Sequence, residues 1–389
     1  MTIVLTRSSD DRAASRVSLR PPGRPTTASS LLGALVAVLV LFGLVMVVSS
    51  SSLVALEETQ STWAYATRQA TWAVLGLGGL ALGLWTSPRL WRRWARPLLV
   101  GVVALLLAVY VVGIRVNGAR RWLGAGPIQL QPSELAKIAV ILVLADLLSK
   151  HCRSLHDWRF GLGLPLVVLG AVAALVVFQP NLGTTLVIVA IGLAMLHAAG
   201  SRTGPLAAAG AVAAVFAGLF VWFSEFRRAR LMAMLDPWAN EDGTAYQTLQ
   251  AGVGLADGGL FGTGLGQSKA KWGYLPYAHT DFVFAIIGEE LGLIGAAATV
   301  GLFVALAFVG YRIAERAADR FSSLVAVGIT TWLVGQAFLN IAVVLNLVPN
   351  TGVPLPFISY GGTSLLVTMT AAGMLLNIAR HPREDGAVR

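Results

Sequence analysis

Long apolar segments alternate with short polar ones along almost the whole chain. Each of ten segments approaches or exceeds the roughly 20 residues that an α-helix needs to cross the hydrocarbon core of a bilayer. The segments cover residues 31–53, 70–86, 97–113, 135–148, 161–178, 182–199, 205–223, 282–310, 322–347 and 362–378. The pattern predicts an all-α integral membrane protein, a polytopic bundle of about ten transmembrane helices.

The composition supports this prediction. Hydrophobic residues make up 56% of the 389 residues, charged residues make up only 12%, and the mean hydropathy is +0.72. Soluble domains carry roughly 25% charged residues, so the balance excludes a soluble protein. The single cysteine, Cys152, is expected to be a passive thiol, since one cysteine forms neither an internal disulfide nor a metal cluster.

The two ends of the chain differ from its middle. Residues 1–30 are rich in Ser, Thr and Pro, and the apolar segment that follows is too long for a cleaved signal peptide and lacks a small-residue cleavage site. We therefore expect a disordered basic tail at 1–30, a ten-helix membrane domain at 31–380 and a second tail at 381–389. The arginines of the first tail are Arg7, Arg12, Arg16, Arg20 and Arg24.

The distribution of Lys and Arg predicts the orientation in the membrane. If the N-terminus is cytoplasmic, that side carries 19 of these residues and the other side carries nine, as the positive-inside rule requires. Both termini are then cytoplasmic, and residues 224–280 form a long extracytoplasmic loop between helices 7 and 8. The net charge of +10 follows from this bias and from anionic lipid on the inner face, so no nucleic-acid partner is expected.

Three outer segments are expected to frame one cavity. Residues 224–280 are too many for a simple connection and include a predicted surface helix near 244–256. Residues 114–133 have the glycine and proline content of an ordered turn, and 348–364 place irregular backbone at a membrane end, where only protein or a water-filled cavity tolerates it. The glycine-rich stretch GGLFGTGLGQSK lacks the ending of a phosphate-binding loop, so it predicts a closely packed turn.

Asp281 is the candidate general base. It follows a proline-containing loop at the start of an apolar segment and is close in sequence to Lys269, Lys271 and His279. A carboxylate among cations at the membrane surface suits proton removal from a sugar hydroxyl beside a polyphosphate leaving group. The alternative is a helix N-cap, which an aspartate provides at almost any helix start. The arginines expected at the same mouth are Arg120, Arg121, Arg227, Arg228 and Arg230.

Other ionisable residues lie within the predicted spans, where they mark a site by default. Glu134 and Lys137 stand three residues apart and can pair on one helix face; either they line a cavity or they only satisfy each other. Arg68, near the outer start of the second span, either reaches a phosphate or anchors the helix at the interface.

Glu289 and Glu290 follow Asp281 within the eighth span. They lie about 12 Å deeper than Asp281 at 1.5 Å per helical residue, which is too far to share its proton transfer. Gly288 and Gly292 flank the pair and permit close helix approach. We expect packing or cavity-polarity roles, with a proton or cation route as the alternative.

Several motifs together resemble the SEDS family of shape, elongation, division and sporulation proteins. They are NGARRWLGAGPIQLQPSELAK, QPNLGT, RRARLMAMLDPW, YQTLQA, GGLFGTGLGQSKAKWGYLPYAHTDFVFAIIGEELG and PNTGVPLPFISYGGTSLL, in this order along the chain. The resemblance covers about residues 31–380. The run KWGYLPYAH is most similar to the FtsW cell-division branch.

The resemblance implies a peptidoglycan glycosyltransferase that polymerises lipid II at the outer face of the bacterial cytoplasmic membrane during septal synthesis. Asp281 would then activate the acceptor hydroxyl, and Glu134 and Lys137 would shape the cavity. It also implies a divalent cation, Mg²⁺ or Mn²⁺, for which no ligand set is visible, and no organic cofactor. We further expect substrate or cavity contacts from Arg68, Arg120, Arg121, Arg228, Lys271, His279 and Ser359.

The implied substrates and partners follow from the same resemblance. Lipid II and a glycan on undecaprenyl pyrophosphate would react, and a class B penicillin-binding protein would cross-link the product among other divisome proteins. The chain departs from the family at Asn181, where QPDLGT is usual, and at Tyr277, where many relatives have Glu. Both departures remove a negative charge near Asp281.

Two alternative functions stay open at the level of sequence. A lipid II flippase would use the intramembrane charges Glu134, Lys137 and Glu289 as a substrate path. A non-enzymatic scaffold would only activate the transpeptidase. Sensitivity to substitution at Asp281 favours the enzyme, whereas sensitivity at mid-membrane carboxylates favours the flippase.

Overall fold

The structure is a computed structural model. It describes residues 23–383 except 117–118, 126–127, 151–161, 239–242, 244 and 277. The expectations for the tail at 1–22, for the last six residues, for Cys152 and for Tyr277 therefore lie outside the described residues.

The predicted ten-helix membrane bundle is confirmed. Each predicted apolar segment corresponds to one helix, and the described part of the 224–280 loop adds two α-helices and one π-helical turn. Within the described residues, six helices are long and apolar enough to cross a membrane, and α5 and α6 are shorter apolar helices. The helices are α1 (Thr27–Thr59), α2 (Ala64–Trp85), α3 (Pro88–Val112), α4 (Pro132–Lys150), α5 (Leu164–Val177), α6 (Leu182–Ala198), α7 (Thr203–Trp222), α8 (Glu225–Leu235), α9 (Tyr246–Gly258), α10 (Val283–Glu315), α11 (Arg320–Val344) and α12 (Gly362–Ala379).

The first helix begins earlier than the sequence predicted. Thr26 caps α1, because its hydroxyl accepts from the Ser29 N–H at 3.1 Å while the Ser29 hydroxyl accepts from the Thr26 N–H at 2.9 Å. Residues 27–30, which were assigned to the disordered tail, are therefore helical. The Thr26 hydroxyl also donates to the Ala379 carbonyl at 2.9 Å, so the two ends of the membrane domain meet.

Helices α4, α11 and α12 are buried along most of their length and form the centre of the bundle. Helix α2 packs along α12 at backbone distance, because a Cβ on Gly83 would lie 2.5 Å from the Thr370 carbonyl oxygen. Helix α7 is the outermost: the structure describes all 20 of its residues, and none of them is buried.

A small sheet replaces the turn that was expected at 114–133. Its strands are β1 (Ile114–Val116), β2 (Ala119–Ala125) and β3 (Ile128–Leu130), antiparallel, with β2 in the middle. Successive side chains on a strand point to opposite faces, so Arg120 and Arg121 cannot face the same site.

Helix α10 is kinked at Gly292, whose φ of 67° and ψ of −168° are not helical. The glycine-rich segment after α9 fills the kink: the Leu293 and Ile294 N–H groups donate to the carbonyls of Gly259 and Leu260 at 2.9 and 3.3 Å. Helix α9, predicted near 244–256, packs on the first part of α10 so closely that a Cβ on Gly258 would clash with the Gly288 carbonyl oxygen.

Candidate active site

Asp281 lies immediately before α10, at the end of the bundle that the sequence predicts to be the outer mouth. The N-cap of α10 is Phe282, which makes no side-chain cap hydrogen bond, so the structure does not support a capping role for Asp281. The Asn340 side-chain amide donates to the carbonyls of Asp281 at 2.7 Å and Val353 at 2.8 Å. The backbone of Asp281 is therefore held between α11 and the 348–361 loop. Its side chain takes no part in these contacts or in capping α10.

Two arginines from different segments of the chain face Asp281. Burial raises the pKa of Asp281 to about 6, while the positive charges of Arg121 on β2 and Arg230 on α8 oppose that rise. Burial, together with the nearby charges of Arg230 and Arg227, lowers the pKa of Arg121. The mouth thus places one carboxylate among mutually repelling guanidinium groups, an arrangement that favours an anionic ligand.

The arginines at this mouth are anchored by backbone carbonyls and an aromatic ring. Arg121 donates to the carbonyls of Gln179, at 3.3 Å, and of Pro180, while Arg230 donates to the Asn350 carbonyl at 3.0 Å. The Arg227 guanidinium lies 3.8 Å from the centre of the Phe220 ring. Residues of the 114–133, 224–280 and 348–364 segments therefore lie close to one another around Asp281.

His279 points into an aromatic cluster next to this site. Its ring centre lies 5.0 Å from that of Tyr65 and 5.7 Å from that of Tyr360, and burial lowers its pKa to about 4 against the opposing charge of Glu58. His279 is therefore neutral at pH 7. Arg68 hydrogen-bonds Tyr360 and lies 6.0 Å from the centre of the Tyr65 ring, so it belongs to this cluster.

Ser359 stabilises the 348–361 loop through hydrogen bonds within the loop and to α2. Its hydroxyl accepts from the Leu355 N–H at 2.8 Å, and its carbonyl accepts from the Gln69 side chain at 3.3 Å. Gln69 also accepts from the Gly361 N–H at 3.3 Å, so this buried residue, which sequence reasoning missed, fastens α2 to the loop.

Three further predicted site residues, Arg120, Arg228 and Lys271, also lie away from Asp281. Arg120 is exposed and donates to the Tyr110 carbonyl at 3.0 Å. Arg228 is exposed, whereas Arg227 and Arg230, three residues apart, share the α8 face towards Arg121. Lys271 is buried beside Glu290, with its ammonium nitrogen 3.8 Å from the Glu290 carboxylate.

The predicted pair of Glu134 and Lys137 is formed deep in the bundle. Their charged atoms are 2.6 Å apart, Lys137 also donates to the side-chain amide oxygen of Gln336 at 2.8 Å, and its ammonium lies 4.7 Å from the Trp332 ring centre. Gln336 donates in turn to the Pro354 carbonyl at 2.9 Å. Gln336 and Asn340, four residues apart in an apolar helix, thus connect the pair to the loop beside Asp281.

The donor groups at the mouth do not fit a protein-bound divalent cation. In the part of the chain that the structure describes, no group of three His, Cys, Asp or Glu side chains could hold a metal ion. Asp281 faces Arg121 and Arg230, which repel a cation. The Asn181 side chain is occupied as the N-cap of α6, accepting from the Thr184 N–H and donating to the Ser133 hydroxyl, both at 3.3 Å.

Comparison with known proteins identifies the family. The family profile described as cell cycle protein, FtsW/RodA/SpoVE, matches residues 29–384. A protein of Geobacter metallireducens named probable peptidoglycan glycosyltransferase FtsW is 39% identical over 343 residues, which are 88% of this chain and 92% of the relative. Stage V sporulation protein E of Bacillus subtilis is 37% identical over 363 residues, or 92% and 99% of the two chains.

Two solved structures share the fold. The crystal structure of the rod shape determining protein RodA of Thermus thermophilus aligns with a TM-score of 0.69 and 29% identity, covering 90% of this chain and 95% of that one. A chain from a peptidoglycan synthase complex, solved to describe the structural coordination of polymerization and crosslinking, aligns with a TM-score of 0.75 and 29% identity, covering 90% and 96%. The chain therefore belongs to the SEDS family, in its FtsW branch.

Proposed function

We propose that this SEDS protein is a peptidoglycan glycosyltransferase that polymerises lipid II at the outer face of the cytoplasmic membrane, with Asp281 as general base. The observation that carries the proposal is the position of the Asp281 carboxylate, which is buried at the outer mouth next to the positive charges of Arg121 and Arg230. The names of the relatives agree with this activity.

The reaction is an inverting glycosyl transfer. The glucosaminyl 4-hydroxyl of lipid II attacks the anomeric carbon of the growing glycan, which is carried on undecaprenyl pyrophosphate. A new glycosidic C–O bond forms, the bond from that carbon to the pyrophosphate oxygen breaks, and the hydroxyl proton passes to Asp281. Undecaprenyl pyrophosphate leaves with the bonding electron pair.

The charges at the mouth suit both halves of this step. A pKa of about 6 leaves Asp281 ionised at neutral pH, yet makes it a stronger base than an ordinary aspartate. Arg121 and Arg230 are placed to stabilise the negative charge that develops on the departing pyrophosphate. The required positive charge is therefore supplied by arginine side chains.

The location and the partner follow from the same proposal. Both termini are cytoplasmic, the outer mouth faces the cell wall, and the protein acts at the division septum with a class B penicillin-binding protein that cross-links its glycan. The charge bias of the loops and the FtsW names of the relatives support these assignments. The matched peptidoglycan synthase complex, in which polymerisation and cross-linking are coordinated, supports such a partner.

The function is tested with purified protein and lipid II, with and without its candidate transpeptidase. Glycan strands resolved on gels are expected from the protein, and longer or more abundant strands with the partner. A scaffold would give no strands from the protein alone or in the complex when the partner lacks polymerase activity. A flippase would instead move lipid II across vesicle membranes without polymerising it.

Replacing Arg230 by Gln should separate its two effects on the reaction. Because the Arg230 charge lowers the pKa of Asp281, its loss should raise that pKa and move the acid limb of the kcat/KM profile to higher pH. Loss of a charge-assisted contact to pyrophosphate should also lower kcat/KM by about 10- to 100-fold at neutral pH.

The matched control is Arg115→Gln, which removes an exposed arginine from β1 of the outer sheet. Its pH profile should coincide with that of the wild type. An acid limb that stays in place in Arg230→Gln would contradict the assignment of that limb to Asp281.

A further inference from the structure

Two buried carboxylates, Glu289 and Glu290, lie on α10 about two turns below Asp281 and take no part in the proton transfer. Each side chain belongs to a residue that is only 1% exposed. A buried charge is costly unless it is hydrogen-bonded or paired, so their contacts indicate what they do.

Glu289 holds the start of the π-helical turn Ala270–Tyr274. Its carboxylate accepts from the Ser268 hydroxyl at 2.5 Å, from the Lys269 N–H at 2.6 Å and from the Ala270 N–H at 3.4 Å. These donors are fixed N–H and O–H groups of a single short segment. The carboxylate therefore fastens that segment to α10, as an N-terminal cap fastens a helix.

Glu290 fastens the same segment to a second helix. Its carboxylate accepts from the Ser49 hydroxyl of α1 at 2.6 and 2.7 Å and from the Ser268 N–H at 3.4 Å, while the Lys271 ammonium lies 3.8 Å away. Lys271 also donates to the Gly266 carbonyl. One buried group thus connects α1, α10 and the loop.

The main chain of the two glutamates adds to this fastening. The kink at Gly292 frees the carbonyls of Glu289 and Glu290, and these accept from the Thr263 N–H at 2.9 Å and the Gly264 N–H at 3.0 Å. The Thr263 hydroxyl also donates to the Glu289 carbonyl at 3.1 Å.

The fastened segment leads directly to Asp281. Apart from residue 277, which lies outside the described residues, residues 259–281 run from the end of α9 past the kink of α10 and over both carboxylates to the start of α10. Within this loop Leu275, Ala278 and His279 are buried. The position of Asp281 is thus set on one side by this loop and on the other by Asn340.

We propose that Glu289 and Glu290 are positioning residues that hold the 259–281 loop on α10 and α1 and thereby fix Asp281 between Arg121 and Arg230. The inference rests on the proposed function of Asp281. It replaces the proton or cation route considered for these carboxylates, because both are already committed to backbone, serine and lysine donors. It also accounts for the buried Lys271, whose ammonium group lies beside the Glu290 carboxylate.

The test compares Glu289→Gln and Glu289→Asp with the wild type in lipid II polymerisation. Misplacement of a reacting group by about 1 Å can cost on the order of 10²-fold, so Glu289→Gln should lower kcat by about that factor with little change in the KM for lipid II. Glu289→Asp keeps the carboxylate and should restore part of the rate. Hydrogen exchange at the Lys269 and Ala270 amides should become faster in Glu289→Gln.

The pH profile separates positioning from simple loss of folded protein. Arg121 on β2 and Arg230 on α8 face Asp281, and burial is the stronger influence on its pKa. A loosened loop should therefore return that pKa towards the ordinary aspartate value and move the acid limb to lower pH. A smaller folded fraction would lower the rate without moving the limb.

A matched pair of serine variants isolates the link to α1. Ser49→Ala removes the hydroxyl that donates to Glu290, whereas Ser50→Ala removes one that, among the described residues, donates to the Met46 carbonyl of its own helix. Ser49→Ala should lower kcat and speed exchange in the 259–281 loop, and Ser50→Ala should do neither.

The outcomes distinguish the two proposals. If Asp281→Asn is inactive while Glu289→Gln keeps the wild-type rate, pH limb and exchange, the positioning role is wrong and the proposed function stands. If Asp281→Asn polymerises lipid II at the wild-type rate, the assigned base itself is wrong. A moved limb with faster exchange in Glu289→Gln supports the positioning role.

Discussion

Replacing Asp281 by Asn should lower the turnover of lipid II polymerisation by about 10²- to 10⁴-fold, the usual contribution of a general base. The amide is nearly the same size as the carboxylate, but it cannot accept the proton of the acceptor hydroxyl. The backbone contact from Asn340 to the Asp281 carbonyl does not involve the side chain, so the local fold should be kept. The rate of glycan-strand synthesis by purified protein measures the effect.

The control for this variant is Asp257→Asn, which removes an exposed carboxylate on α9 that lies 3.5 Å from Lys269. It removes one negative charge, as Asp281→Asn does, from the neighbouring α9 without touching the mouth. Its turnover should therefore equal that of the wild type. The melting temperature and transpeptidase binding of Asp281→Asn should also match the wild type. Near-normal polymerisation by Asp281→Asn would refute the assigned role.

Much of the fold could be predicted because a long apolar segment directly indicates a helix that crosses the membrane. Ten such segments gave ten helices, since a helix satisfies its own backbone hydrogen bonds in lipid. The small sheet at 114–130 was missed because its strands are only three to seven residues long and its central strand contains Gly124. The start of α1 was placed late because its cap, Thr26, lies in a serine- and threonine-rich tail.

The site was predictable only in part, for a different reason. Asp281 and Arg121 were identified from their sequence neighbourhoods, and the structure brings them together. Which arginine of α8 faces them depends on the rotation of that helix, and this selects Arg227 and Arg230 rather than Arg228. Local sequence does not fix that rotation, because it is set by contacts with distant residues such as Asn350.

Residues that act through distant partners were the hardest to identify. Gln336 contacts Lys137, 199 positions away in sequence, and Asn340 contacts Asp281, 59 positions away. Their spacing of four residues within an apolar helix was the available indication, because polar side chains inside a bundle are expensive unless they have partners. Together they make the buried pair of Glu134 and Lys137 part of the support beneath the mouth.

Lys137→Met should therefore destabilise the protein strongly, by about 3–5 kcal/mol. It removes one partner of a buried ion pair and leaves the charge of Glu134 buried without a counter-charge. Lys137 is 1% exposed and Glu134 2% exposed. Among the described residues, one carboxylate oxygen of Glu134 already has no hydrogen-bond partner. The free energy of unfolding in detergent micelles measures the loss.

The double variant Glu134→Met with Lys137→Met removes both charges and should recover most of that stability, since well-packed apolar residues often replace a buried pair at little cost. Gln336 would still accept from the Trp332 ring N–H at 2.9 Å, so its carbonyl oxygen keeps a partner. Lys269→Met, which removes an exposed lysine, should change stability little. A double variant as unstable as Lys137→Met would show that the pair contributes through its own geometry, not only by neutralising a buried charge.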